Sequence, residues 1–262
     1  MRLLYNSKTN GKPMHVACFM SGTGTNVRKI LEYQRNLERL VETPPFKVVA
    51  IFTDNPDSNA KFIAEEFGIP YGENDFEKFF ENKDKNNWEL RKLFDRMTYW
   101  LIKSYNIHTI ALCGYSRIVT KPLIDNYLIV NVHPGDLSVI ENGKRKYVGL
   151  HHIPVKKTIV SGERFLHSTT HIVTEELDDG PILLISKGLK VELPDGINVH
   201  KLKSNDIMLN ELSKEHQNKL KEIGDWQVLP LTLHWIAEGR FTMDDSKNLY
   251  LDGNKIDEGF RL

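Results

Sequence analysis

His15-Val16-Ala17-Cys18-Phe19-Met20-Ser21-Gly22-Thr23-Gly24-Thr25-Asn26 reads as a strand, a tight turn and the start of a helix. The apolar run has strand length, and the Ser/Gly/Thr cluster behind it is turn chemistry. Val27, Ile30, Leu31 and Tyr33 then recur on one helical face. A strand that enters a helix through a short turn is half of a βαβ unit, the usual way of joining parallel strands. The alternation continues downstream. Lys47–Phe52 is a second strand that stops at Thr53-Asp54-Asn55-Pro56, Asn59–Phe67 a helix, and Ile69-Pro70 marks a short strand. A long amphipathic helix spans Trp88–Tyr105, and Thr109–Cys113 and Leu128–Val132 are further buried strands. Such nearly unbroken apolar strands belong to a sheet covered on both faces, so the fold class is α/β with an open, mostly parallel, twisted sheet.

The remaining segments read less sharply. Glu73–Asn87 carries eight charges in fifteen residues and is expected to be a solvated loop or exposed helix. Ser168–Val173 and Ile182–Val191 are β-rich, and Val199–Ile223 reads as one long polar helix. Leu229–Ile236 starts a last helix, and Phe241–Asp252 a terminal hairpin with Asp252-Gly253 as its turn signal. No repeat or long Ser/Gly/Pro linker divides the chain. We read a single domain over residues 14–260, with a C-terminal β/α addition that walls the site and residues 1–13 as an N-terminal extension.

Composition narrows the function classes. The 262 residues are 40% hydrophobic, enough for a sizeable core, and the 35 basic and 35 acidic side chains cancel. No global charge excess favours nucleic acid or an anionic membrane. Cys18 and Cys113 both lie in apolar runs and read as core residues of a reducing compartment. With no signal-like or membrane-length apolar stretch, the expected location is cytoplasmic.

Chemistry concentrates at Asn131-Val132-His133-Pro134-Gly135 and at His171–Pro181. Asn131 and His133 are two residues apart and leave one face of a strand. Pro134 cannot continue a central strand, so the pair stands at its end, where side chains can reach a cleft. An amide donor, a titratable ring and the nearby carboxylate of Asp178 suit acyl transfer. The Gly22-Thr23-Gly24-Thr25-Asn26 turn offers backbone N–H groups and a helix start to an anion such as phosphate. It is no complete dinucleotide fingerprint, since Val27 stands at the third glycine position, and it lacks the Gly-Lys-Ser/Thr of a P-loop. Each element alone also suits an ordinary turn or cap. The adjacent His151 and His152 have no carboxylate at ligand spacing, so no metal is expected. Lys144-Arg145-Lys146 reads as a solvated loop.

Together these motifs resemble the folate-dependent formyltransferases, most closely the branch acting on phosphoribosylglycinamide in purine synthesis. The resemblance covers about residues 14–260. It rests on Val16–Asn26, Leu112–Val119, Asn131-Val132-His133-Pro134, His171–Pro181, Leu229–Arg240 and Leu251-Asp252-Gly253. It implies a Rossmann-like formyltransferase fold and 10-formyltetrahydrofolate as cosubstrate, with no metal. Asn131, His133 and Asp178 would be catalytic, with His171 supporting them. Gly22, Thr23, Gly24, Thr25, Asn26 and Asp225 would hold the amine substrate. Leu112, Ser116, Arg117, Ile118, Val119, Thr174, Glu175, Glu176 and Leu177 would frame the folate, and Arg91 is similar to a folate-side arginine. The chain departs from the pattern on the acceptor side. Gly135-Asp136-Leu137-Ser138 replaces Ser-Leu-Leu-Pro, an extended loop follows over Val139–Tyr147, and Asp225 is one methylene shorter than the family's acidic residue. Formyl transfer to an amino-sugar nucleotide or another phosphorylated amine is the alternative enzyme. A folate- or nucleotide-binding domain without catalysis is the non-enzyme reading.

Overall fold

The structure is a computed structural model that describes residues 1–262. Its centre is an eight-stranded sheet in the spatial order Phe260–Arg261, Ile182–Ile185, Thr169–Ile172, Leu128–His133, Thr109–Leu112, Met14–Met20, Phe46–Thr53, Tyr71–Glu73. The last five are mutually parallel, whereas Thr169–Ile172 runs antiparallel to both of its neighbours. The chain winds outward from Met14–Met20 in one direction, then returns to fill the other side from Thr109–Leu112. Strand order therefore reverses between these two strands, and ligands of open α/β sheets bind beyond the carboxyl ends at such a point.

Side-chain alternation explains the layers. Val16, Cys18 and Met20 join the larger core with Ile30, Leu229, Leu233 and Ile236. Ala17 and Phe19 point the other way and pack with Phe52, Ile102, Ile110 and Leu123. Both faces of this strand are covered, which is why it carries no polar alternation. Cys18 and Cys113 are buried free thiols.

Three expectations need correction. In Glu73–Asn87 the charges face water, but Phe76 and Phe80 are buried against Phe94, with the Phe76–Phe94 ring centroids 5.2 Å apart. Asp75 caps a one-turn helix, Phe76–Phe79, that delivers these rings. The polar stretch Val199–Ile223 is two helices, Val199–Lys203 and Asp206–Leu220. The side chain of Asn205 accepts from the Met208 N–H at 3.1 Å and starts a new helix where one helix would have continued. A π-helical turn, Lys221–Asp225, then joins Asp206–Leu220 to the final helix, Trp226–Ala237. Finally, Asp252-Gly253 turns the chain from Leu249–Leu251 into Asn254–Lys255, and the hairpin with Phe241–Met243 closes earlier. The N-terminal extension is a working part of this small antiparallel sheet: Arg2–Leu3 pairs with Phe241–Met243, and Tyr5 is buried. No helix is long and apolar enough to cross a membrane.

Candidate active site at the strand ends

Strand Leu128–His133 stops at Pro134, and the antiparallel strand Thr169–Ile172 lies beside it with His171 opposite Asn131 and Thr169 opposite His133. This register brings residues forty apart in sequence into one corner. The Asn131 amide nitrogen lies 3.2 Å from His171 Nε2. Burial drives the His171 pKa down to about 4, so the ring is neutral near pH 7. Its Nδ1 lies 3.1 Å from the Ile172 carbonyl, which can only accept, so Nδ1 carries the proton and Nε2 accepts from Asn131. His171 thereby fixes one amide hydrogen of Asn131 and leaves the other for a ligand.

His133 has an acceptor at each ring nitrogen. Nε2 is 2.6 Å from the Tyr147 carbonyl oxygen, and Nδ1 is 3.4 Å from Asp178 Oδ2. The Tyr147 carbonyl can only accept, so Nε2 carries a proton, and the Nδ1 edge faces the Asp178 carboxylate. Burial alone would raise the Asp178 pKa, but its hydrogen bond with His133, the neighbouring imidazoles and the Gly149 N–H hold it below the usual carboxylate range. The Asp178 carboxylate is therefore ionised at neutral pH. Its loop reaches the corner because Gly180 passes against the Ile172 carbonyl so closely that no Cβ would fit. Asp178 itself has a left-handed φ of 54°, a strained value for a residue with a side chain.

The segment Val139–Tyr147 closes over this corner as a small hairpin, with Ile140–Glu141 paired to Lys144–Arg145. Asn142 and Gly143 both have positive φ, as a two-residue hairpin turn requires. The solvated-loop expectation holds for Lys144 and fails for Arg145. The latter turns inward, half-buried, and donates from Nη1 to the Asp178 carbonyl at 2.6 Å. The departure at Gly135 also finds its reason. A Cβ there would sit 2.7 Å from the Tyr147 carbonyl and 3.0 Å from His133 Nε2.

The glycine turn lies at the switch point. Gly24 has a φ of 73° and precedes helix Thr25–Leu40, and a Cβ there would collide with Ile63 and Met20. The turn's carbonyls are occupied: those of Gly22 and Thr23 accept from the Asn59 backbone and side chain. Its N–H groups from Gly22 through Asn26 donate to no protein atom. Asn26 connects turn to site, donating to Asp225 Oδ2 at 3.4 Å while its own buried Oδ1 has no partner. Asp225 accepts from Ser168 Oγ at 2.6 Å. Burial pushes its pKa up, against the opposing hydrogen bonds of Ser168 and Asn26.

A cavity of about 310 Å³ joins these groups. Asn131, His133, His171, Asp178, Asn26 and Asp225 line it, as do Leu112, Ser116, Arg117, Ile118, Val119, Thr174, Glu176 and Leu177. Gly22, Thr23, Gly24 and Thr25 sit outside its wall, at the adjoining turn. Glu175 faces a neighbouring cavity and pairs with Lys121 at 3.3 Å. Arg91 is also outside the wall; its guanidinium lies over the Phe76 ring at 5.4 Å, and its Nε is buried without a partner. Arg117 is held by an ion pair to the buried Asp54 at 2.6 Å. Sequence reasoning missed Gln217 and Lys221, which line the cavity from the end of helix Asp206–Leu220 and the π-helical turn that follows it. Their spacing of four along a helix was the available signal. No group of three or more His, Cys, Asp and Glu side chains is arranged to hold a metal.

Residues 14–194 match the family model described as formyl transferase. The chain belongs to the formyl transferase family. It is 25% identical over 245 residues to the phosphoribosylglycinamide formyltransferase of Escherichia coli K12, covering 93% of this chain and 96% of that one. It is 26% identical over 243 residues to the enzyme of the same name from Haemophilus influenzae, covering 92% and 95%. Among solved structures, the phosphoribosylglycinamide formyltransferase of Coxiella burnetii superposes with a TM-score of 0.70 at 22% identity, over 96% of this chain and all of that one. That likeness establishes the fold: the α/β architecture and mostly parallel sheet are those of the family.

Proposed function

We propose that this chain transfers the formyl group of 10-formyltetrahydrofolate to the primary amine of phosphoribosylglycinamide. One observation carries the reading: Asn131, His133 and Asp178 meet in a cavity that is also lined by Asn26, the last residue of a turn of unpartnered N–H groups. The named relatives act on that acceptor by their names, and their similarity spans nearly the whole chain.

In this reading the acceptor's phosphate sits on the N–H groups of Gly22–Asn26 at the helix start. The ribose crosses the switch point beside Asn26 and Asp225, and the amine reaches the end of strand Leu128–His133. The folate's formyl group enters from the Leu112–Val119 side. The amine attacks the formyl carbon, and negative charge develops on the formyl oxygen. The free Asn131 amide hydrogen, aimed by His171, stabilises that charge. His133 adds a positive charge and supplies the proton the leaving folate nitrogen takes up. Of its two contacts, the 3.4 Å edge toward Asp178 is the longer, so it is the edge a substrate atom or water can share. Asp178, ionised, accepts the proton that leaves the attacking amine, through water.

The test is kcat/KM for phosphoribosylglycinamide against amino-sugar nucleotides, with formate release measured in the absence of any acceptor. A tenfold preference for the sugar nucleotide, about 1.4 kcal/mol in transition-state binding, overturns the acceptor and keeps formyl transfer. Formate release that no amine diverts overturns transfer itself. Binding of both ligands with no turnover restores the non-enzyme reading.

A further inference from the structure

The inserted hairpin Ile140–Arg145 touches the catalytic corner at its backbone, and its role rests on the reading just proposed. Asp178 must face His133 with its carboxylate, yet its φ of 54° is left-handed backbone, a region that favours glycine. Such a geometry persists only when its surroundings hold it. Two contacts from one stretch of chain do so. Arg145 Nη1 donates to the Asp178 backbone carbonyl at 2.6 Å, and the Gly149 N–H donates to Asp178 Oδ2 at 3.2 Å. Between them, the Tyr147 carbonyl takes the far nitrogen of His133. The hairpin is itself fixed. Lys146 N–H bonds the Val139 carbonyl at 2.9 Å, Tyr147 Oη donates to Glu163 at 2.7 Å, and Arg261 bonds both Asp136 and Ser138 at the hairpin's base at 2.7 Å.

We infer that Arg145 is a positioning residue of the reaction: from the inserted hairpin it clamps the Asp178 backbone and so keeps the carboxylate on His133. The bond goes to a main-chain carbonyl, so it controls where Asp178 points without competing for its carboxylate. Arg145 and Asp179 both line the neighbouring cavity, and Arg145 is not part of the wall around Asn131 and His133.

Arg145→Ala should lower kcat by roughly ten- to a hundredfold, in the range a misplaced catalytic group produces, with both KM values within about twofold of wild type. Arg145→Lys, which can still donate once to the carbonyl, should restore most of the loss. With Asp178→Asn as background, Arg145→Ala should cost little more, because the two act as a unit. Equal loss in both backgrounds, or a change confined to thermal stability with kcat per folded molecule preserved, overturns the proposal. A crystal structure of Arg145→Ala decides the matter independently of the acceptor: Asp178 swung away from His133 supports the clamp, and Asp178 unmoved refutes it. A wild-type chain that formylates no phosphorylated amine would defeat the functional reading, and this crystallographic arm would still judge Arg145.

Discussion

The corner around His133 and the turn at Gly24 lie at the ends of two strands separated by Thr109–Leu112, and they treat their polar groups in opposite ways. At the corner nearly every polar atom already has a protein partner: Asn131 with His171, His133 with Asp178 and the Tyr147 carbonyl, Asp178 with Gly149. At the turn the carbonyls are taken up by Asn59, and the N–H groups are left open. A site that must stabilise charge at the moment of reaction gains from groups oriented in advance. A site that must hold an anion gains from donors that nothing else has claimed. In the proposed reading the first is suited to chemistry and the second to ligand capture.

The largest effect should come from breaking the corner. Asn131→Ala is expected to reduce kcat about 10²–10³-fold, the usual cost of one oxyanion donor, while folate binding measured by titration stays near wild type. Equal loss in binding would move Asn131 from the reaction to the pocket wall.

The corner also carries a pH signature. The folded pKa of His171 is pressed by burial to about 4, below its ordinary 6.5, so the unfolded chain takes up this proton first. His171 contributes nothing to pH dependence above roughly 6.5 and destabilises increasingly as pH falls toward 4, by on the order of 3 kcal/mol. Denaturation midpoints for wild type and His171→Asn should therefore converge as pH falls through this window. Parallel curves would mean that His171 titrates alike in the folded and unfolded chain.

Gly135→Ser tests whether the inserted hairpin is fitted to this corner. The added side chain would press on the Tyr147 carbonyl and His133, and roughly tenfold loss in kcat is expected from the displaced ring. An unchanged rate would show that the hairpin yields without disturbing His133.

The turn should respond more modestly and on a different constant. Gly24→Ala requires a positive φ and meets Ile63 and Met20. We expect a several-fold rise in acceptor KM with folate KM preserved, alongside roughly 1 kcal/mol of lost stability. A parallel rise in both constants would make the turn a structural element of the whole site.

Much of this contrast is written in local sequence. Met14–Met20, Phe46–Thr53, Thr109–Leu112 and Leu128–His133 announce themselves as apolar runs because both faces of their sheet are covered. Pro134 and the two-residue spacing of Asn131 and His133 already place both side chains at a strand end. Phe76 and Phe80 were hidden by the charges around them, though they stand four apart on one helical face. Gln217 and Lys221 were equally obscure, because nothing local says which side of a polar helix meets a cavity.

What the chain determines by itself, then, is periodicity, turn chemistry and the inventory of reactive groups, since these depend on residues within a few positions of one another. Tertiary structure alone decided that His171 stands across from Asn131, that the Tyr147 carbonyl closes on His133, and that Arg145 turns inward to Asp178. Those outcomes depend on strand register and on backbone carbonyls, which every residue possesses and no side-chain pattern encodes.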